Sequence, residues 1–194
     1  QAYPLTAEIG YRYLGIDEVG AHRGLRDGNR GMTGLIYGAD TIVEKPVPYQ
    51  STHLSSGYVA LKRKTNGNRL YAGLNALQPG SGHQHGDRLN LITYSRDRML
   101  TGEKRTQYYD KDQHLYSGAS YAHNTVTVDE TSQVHGNHLQ GKRVPHIDNF
   151  VDLPAAQVVE AHGDKVYEQT ERYRRLLCQF DEYVLDVFRV EGGR

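Results

Sequence analysis

What this sequence lacks bounds it first. There is one cysteine, Cys178, in 194 residues, so no intrachain disulfide framework holds the chain. There is no net charge, because 23 Lys and Arg stand against 23 Asp and Glu, with ten His beside them. That balance argues against a nucleic-acid binder held by bulk electrostatics. It leaves room for an anionic substrate in a locally basic cleft. No apolar run reaches the ~18 residues that a membrane helix needs. No signal-like segment opens the chain, which starts at Gln1 without a methionine. Hydrophobic residues are few, at 37%, whereas glycine (21) and tyrosine (15) are plentiful. Many turns between half-buried aromatic strands produce that mixture.

The chain changes character along its length. Residues 1–45 carry mixed apolar and polar segments around Gly20, Gly24 and Gly28, and read as short helices with a glycine-rich loop. Glu44-Lys45-Pro46-Val47-Pro48 then makes an extended connector, a boundary before a second region at 46–194. Beyond it the pattern is strand and turn. Asn66-Gly67 lies between two β-prone runs, 57–64 and 69–77, the strongest short-range hairpin signal. Residues 87–94 alternate, with Leu89, Leu91 and Thr93 on one face, and 124–129 alternate as well. Residues 167–179 and 183–190 read as two strands around a tight Phe180-Asp181-Glu182 turn, and 133–150 as a surface loop. The expected fold is mainly β, an antiparallel sandwich preceded by the tail of something helical.

Chemistry-bearing residues gather in four places: Gly82-His83-Gln84-His85-Gly86-Asp87, then Glu103, then the tyrosines Tyr108, Tyr109, Tyr116 and Tyr121, then His123 in Ala122-His123-Asn124-Thr125. Two histidines two apart in extended chain project to one side. Gly80, Gly82 and Gly86 leave room for a ligand near the backbone. Together with Glu103 and His123, they make a donor set suited to Zn²⁺. The plain alternative is polar residues in turns. Tyrosines in strands are ordinarily packing residues, though an aromatic face can also stack on sugar rings.

The run 81–89 resembles the signature of the heparinase II/III family, a Gly-rich His-x-His-x-Asp-x-Leu that opens a strand. Further resemblance lies in Arg98-Met99-Leu100-Thr101-Gly102-Glu103, in Tyr116, and in Ala122-His123-Asn124-Thr125-Val126-Thr127-Val128-Asp129. Ser56 to Lys62 resembles the family's first sheet strand, and Tyr183 to Val190 a late one. The likeness covers roughly residues 50–194.

The resemblance implies an α/α toroid followed by a β-sandwich, with residues 1–45 as the last toroid helices and the chain as a fragment holding the sheet half of an active site. It implies a polysaccharide lyase that cleaves uronic-acid polymers by β-elimination. His83 and Tyr116 are its implied catalytic residues, and Gln84, Tyr108, Tyr121 and Arg88 its substrate-binding ones. His85, Glu103 and His123 are implied ligands of a structural Zn²⁺, with Glu103 standing where the family has Asp. The base, acid and partner residues of the toroid would lie upstream of Gln1. The implied partners are an anionic polysaccharide, the toroid and a second copy in a homodimer, with no nucleic acid and no membrane. The implied location is secreted or periplasmic. Two readings compete: a non-catalytic, metal-stabilised carbohydrate-binding sandwich, and a hydrolase using metal-bound water, which needs an open coordination position.

Overall fold

Asn66 and Gly67 have φ of 48° and 75°, the left-handed pair that a two-residue hairpin turn demands. They join β2 (Tyr58–Thr65) to β3 (Asn68–Asn75), which pair in unbroken antiparallel register from Tyr58↔Asn75 to Thr65↔Asn68. The computed structural model describes residues 49–79, 84–96, 98–102, 111–135 and 143–193, with side chains in the helix from 115 onward. The chain divides into two units, 1–50 and 51–194. The helices expected in residues 1–45 lie outside the described residues.

The second unit is an antiparallel β-sandwich. Its first sheet has the order β1 (Thr52–His53), β2, β3, β4 (Asn90–Ser95) and β5 (Arg98–Thr101). Its second has β6 (His146–Asp152), β7 (Gln157–His162), β8 (Thr170–Gln179) and β9 (Val184–Gly192), also in chain order. One helix, α1 (Lys111–Gly118), and a 3-10 turn (Ser120–Ala122) stand between the sheets in sequence.

Alternation builds the core. On β2 and β3, Val59, Leu61, Ala72 and Leu74 face inward; on β7 and β8, Val159, Ala161, Tyr173 and Leu177 meet them. Each inward residue is followed by an outward one, the period-2 signature of a sheet packed on one face. Arg63 on β2 reaches across to Asp181 in the β8–β9 turn, at 2.5 Å. That partner holds the Asp181 carboxyl below its ordinary range.

Four expectations are corrected. Residues 124–129 form no strand: they are an irregular segment that bends at Asn124 and Thr125, turns at Asp129 (φ 52°) and carries an isolated Val128↔Thr131 bridge. Side chains take its backbone groups instead of a ladder, with Asn90 Oδ1 accepting from Asn124 N, and the Tyr173 hydroxyl donating to Val126 O. The 133–150 region is not simply a surface loop, because Gln133 is 1% exposed and β6 begins at His146. The stretch leading to Tyr121 is helical from Lys111 rather than a loop or strand. β4 starts at Asn90, not Asp87, because Leu89 has φ of 57° and turns the chain into the strand.

Candidate functional site

The turn before β4 positions the first group of residues. Asp87 is held by Asn75, whose Nδ2 donates to its carboxylate at 2.7 Å, and Leu89 N donates to Asn75 O. Gly86 N donates to Gly118 O at 2.8 Å, tying the turn to the end of α1. Gly86 is required by packing rather than by room for a ligand. A Cβ there would lie 2.7 Å from the Gln133 carbonyl oxygen and 3.0 Å from Ser132 Oγ, so only glycine fits against that backbone.

Gln133 is the hub of the second group. Its Oε1 accepts from Arg88 N at 2.8 Å, while its Nε2 donates to Arg88 O and to the Tyr173 hydroxyl, both at 3.1 Å. Its own N–H donates to Ser120 Oγ, and that hydroxyl donates to Gly86 O. Thr125 Oγ1 donates to Arg88 O at 2.8 Å. One buried side chain thereby locks together the turn at 86–88, the 3-10 turn and the segment after His123. A fully satisfied buried network of this kind fixes a single arrangement.

Arg175 supplies the third tie. It is 2% exposed on the inner face of β8. Its Nη1 donates to Leu89 O and Asn124 O, both at 2.6 Å, while Nε and Nη2 meet the two oxygens of Asp186 at 2.9 and 2.6 Å. The guanidinium lies 5.1 Å over the Phe188 ring. The planar fork lets one side chain serve two carbonyls and a carboxylate at once.

Between these ties, His85 and His123 come together. Their ring centroids are 5.2 Å apart with planes inclined by 37°, and both ring nitrogens of His123 are shielded from solvent. Two imidazoles on one tetrahedral ion, with N–metal bonds of about 2 Å, place their ring centres about 5 Å apart. The pair therefore fits the zinc that the resemblance implies. Glu103, the implied third ligand, lies outside the described residues. Among the described residues no group of three His, Cys, Asp or Glu side chains converges on a metal position.

Tyr116 and Tyr121 stand on the segment that leads to His123, their rings 5.7 Å apart and 46% and 58% exposed. The two exposed rings, inclined by 45°, offer apolar faces with hydroxyl groups at their edges. Gln84 is turned to the chain itself, its Nε2 donating to Gln78 O at 2.6 Å. Arg88 is not a surface group. It is 3% exposed, its Nη2 donates to the Val134 carbonyl, and burial lowers its pKa against the opposing pull of Asp87. His83 and Tyr108 lie outside the described residues.

Sequence reading did not single out Gln133, Arg175, Tyr173 or His135. A methyl on Gly118 would sit 3.8 Å from His135 Nε2 and 3.9 Å from His85 Cδ2, so His135 flanks the same glycine as His85. An arginine in the alternating inner face of β8 was the one available signal. A buried Gln or Tyr carries no such mark.

The family described as "Heparinase II/III-like, C-terminal" matches residues 47–191. Two solved structures share the fold. A mutant of the heparan sulfate lyase HepC from Pedobacter heparinus is 18% identical, with a TM-score of 0.65, over 86% of this chain and 26% of its own. A heparinase III gene product is 17% identical, with a TM-score of 0.68, over 88% of this chain and 28% of its own. The chain thus spans about a quarter of the length of these relatives. No curated protein sequence matches it.

Proposed function

The chain belongs to the heparinase II/III-like C-terminal family, and from that premise we propose that it is the sheet half of a polysaccharide lyase. The reading is β-elimination on a uronic-acid-containing polysaccharide, leaving unsaturated uronate ends. The meeting of His85 and His123 beside an exposed tyrosine pair carries the proposal. Tyr116, Tyr121 and His123 stand on one short stretch of chain, which supports a metal tie and a sugar-stacking surface close together.

Elimination takes the proton from C5 of the uronate, forms the C4–C5 double bond and breaks the C4–O bond, with a proton passing to the leaving glycosidic oxygen. The adjacent carboxylate opposes build-up of negative charge at C5, so that charge must be offset and both protons handled. His83 neutralises the carboxylate or protonates the leaving oxygen in this reading. Tyr116 shares the proton transfers with residues of the helical domain that the resemblance implies. Tyr121, Gln84 and Tyr108 hold the sugar chain. A zinc ion held by His85, Glu103 and His123 supplies a cross-link between the turn at 84–87 and the segment at 116–126, orienting its neighbours without entering the chemistry. Secretion or periplasmic export, a toroid partner and a homodimer complete the proposal. The non-catalytic binding sandwich keeps the same fold and the same histidine pair, so activity alone separates the two.

The test uses the protein together with its helical portion. Absorbance of the unsaturated uronate is followed on a panel of uronate polymers. We expect the signal in the wild type, its loss in His83→Ala at unchanged polymer binding, and loss of about one zinc per chain in His123→Ala. Polymer binding without any unsaturated product from the wild type would establish the non-catalytic reading instead.

A further inference from the structure

A second histidine pair is built into the fold, in the other sheet and apart from the site just described. β6 and β7 pair in the register His146↔His162, which sets the two Cβ atoms about 5 Å apart on neighbouring strands. The ring centroids are 5.2 Å apart and the planes are inclined by 31°. As with His85 and His123, this is the separation, about 5 Å, that two imidazoles take on one tetrahedral ion.

Asp148 prepares one of the two rings. His162 Nδ1 lies 2.7 and 2.8 Å from the two oxygens of Asp148. A carboxylate can only accept, so Nδ1 carries the proton, and in the neutral ring Nε2 keeps the lone pair that binds a metal. A histidine that gives its other N–H to a carboxylate is the arrangement metal-bound imidazoles adopt. The local backbone explains the geometry. The β6–β7 register shifts between Ile147 and Asn149, so Asp148 has no partner opposite it. Such a bulge redirects a side chain, here toward the neighbouring strand's histidine.

The surrounding charges do not oppose a cation outright. Arg174 stands opposite His162 on β8, with its Nη2 3.5 Å from Asp164, and Arg189 stands opposite Arg174, bonded to Glu191. Arg174 is paired with Asp164, and Arg189 shares Glu191 with Arg172.

We propose that His146 and His162 form a two-histidine site for a divalent transition ion such as zinc or nickel, with Asp148 as its positioning residue. Imidazole pairs suit these ions. Only two protein ligands are used, so the other coordination positions are filled by water or by an external ligand. The ion fastens edge strand β6 to β7.

The test is titration of the whole chain with Zn²⁺ and, separately, Ni²⁺, comparing the wild type with His146→Gln and His162→Gln. His146 is exposed at the sheet edge, so its variant is expected to keep the wild-type circular dichroism spectrum. We expect each variant to take up one equivalent fewer than the wild type, and Asp148→Asn to weaken that equivalent by about 10- to 100-fold. The readout is a difference from wild type, so it holds whether or not His85 and His123 bind zinc, and His123→Ala leaves the difference intact. Uptake unchanged in both His146→Gln and His162→Gln overturns the site. Unchanged affinity in Asp148→Asn overturns the role of that carboxylate.

Discussion

Arg175 stands on the inner face of β8 between Tyr173 and Leu177, both fully buried, where alternation favours an apolar side chain. It is tolerated because every part of its guanidinium is used, on Leu89 O, Asn124 O and Asp186. Replacing it by Leu leaves a one-third-exposed Asp186 and Leu89 O without the Arg175 donor, while Asn124 O keeps only the Leu91 N–H at 3.2 Å. We expect a loss of about 2–3 kcal/mol in urea unfolding, with Arg175→Lys recovering only part because a point charge cannot serve three acceptors. Tyr173 makes a second residue-scale prediction. Burial pushes its hydroxyl up to about 12, against its hydrogen bonds with Thr125, Gln133 and the Val126 carbonyl. Below pH 10 the folded and unfolded states both hold the proton; between about 10 and 12 only the unfolded state releases it, so stability falls as pH rises. Tyr173→Phe should flatten that fall, seen in denaturation midpoints at pH 8, 10 and 11. Equal slopes in the two proteins would contradict it.

At the scale of elements, legibility followed the strength of the local signal. The β2–β3 hairpin was readable because Asn66-Gly67 meets the backbone demand of its turn. The β8–β9 pair was readable from its long alternation, although β8 begins three residues after the expected Tyr167. Residues 124–129 alternate as a strand should, yet their backbone groups are satisfied by Asn90, Tyr173 and Tyr167 side chains, which no periodicity reports. β6 went unseen because His146, Asp148 and Asn149 make it polar, an edge strand with only Ile147, Phe150 and Val151 apolar. In the candidate site, the motif marked His85 and His123 but not the Gln133 and Ser120 network that places them, since such partners are distant in sequence. Gly86 tests that network. Gly86→Ala forces a methyl against the Gln133 carbonyl, and we expect a loss of about 1–3 kcal/mol together with weakened zinc binding, measured by denaturation and by metal content. Wild-type stability would show that the Gln133 contact is not needed.

At the largest scale, the described residues form two antiparallel sheets around one core. The histidine pair sits where the turn into β4 meets the segment after α1, held there by groups from both sheets: Asn75 on β3, Tyr173 and Arg175 on β8. A site braced from both sheets is held on rigid elements. The most direct test of the lyase reading is the mass of the new chain ends, released from a defined uronate oligosaccharide by the protein that carries both halves. Elimination predicts that the fragment from the reducing side of the cut carries a C4–C5 double bond at its new non-reducing end and is one water lighter than its hydrolysis counterpart. Fragments that have each gained their share of water would show hydrolysis and contradict the account.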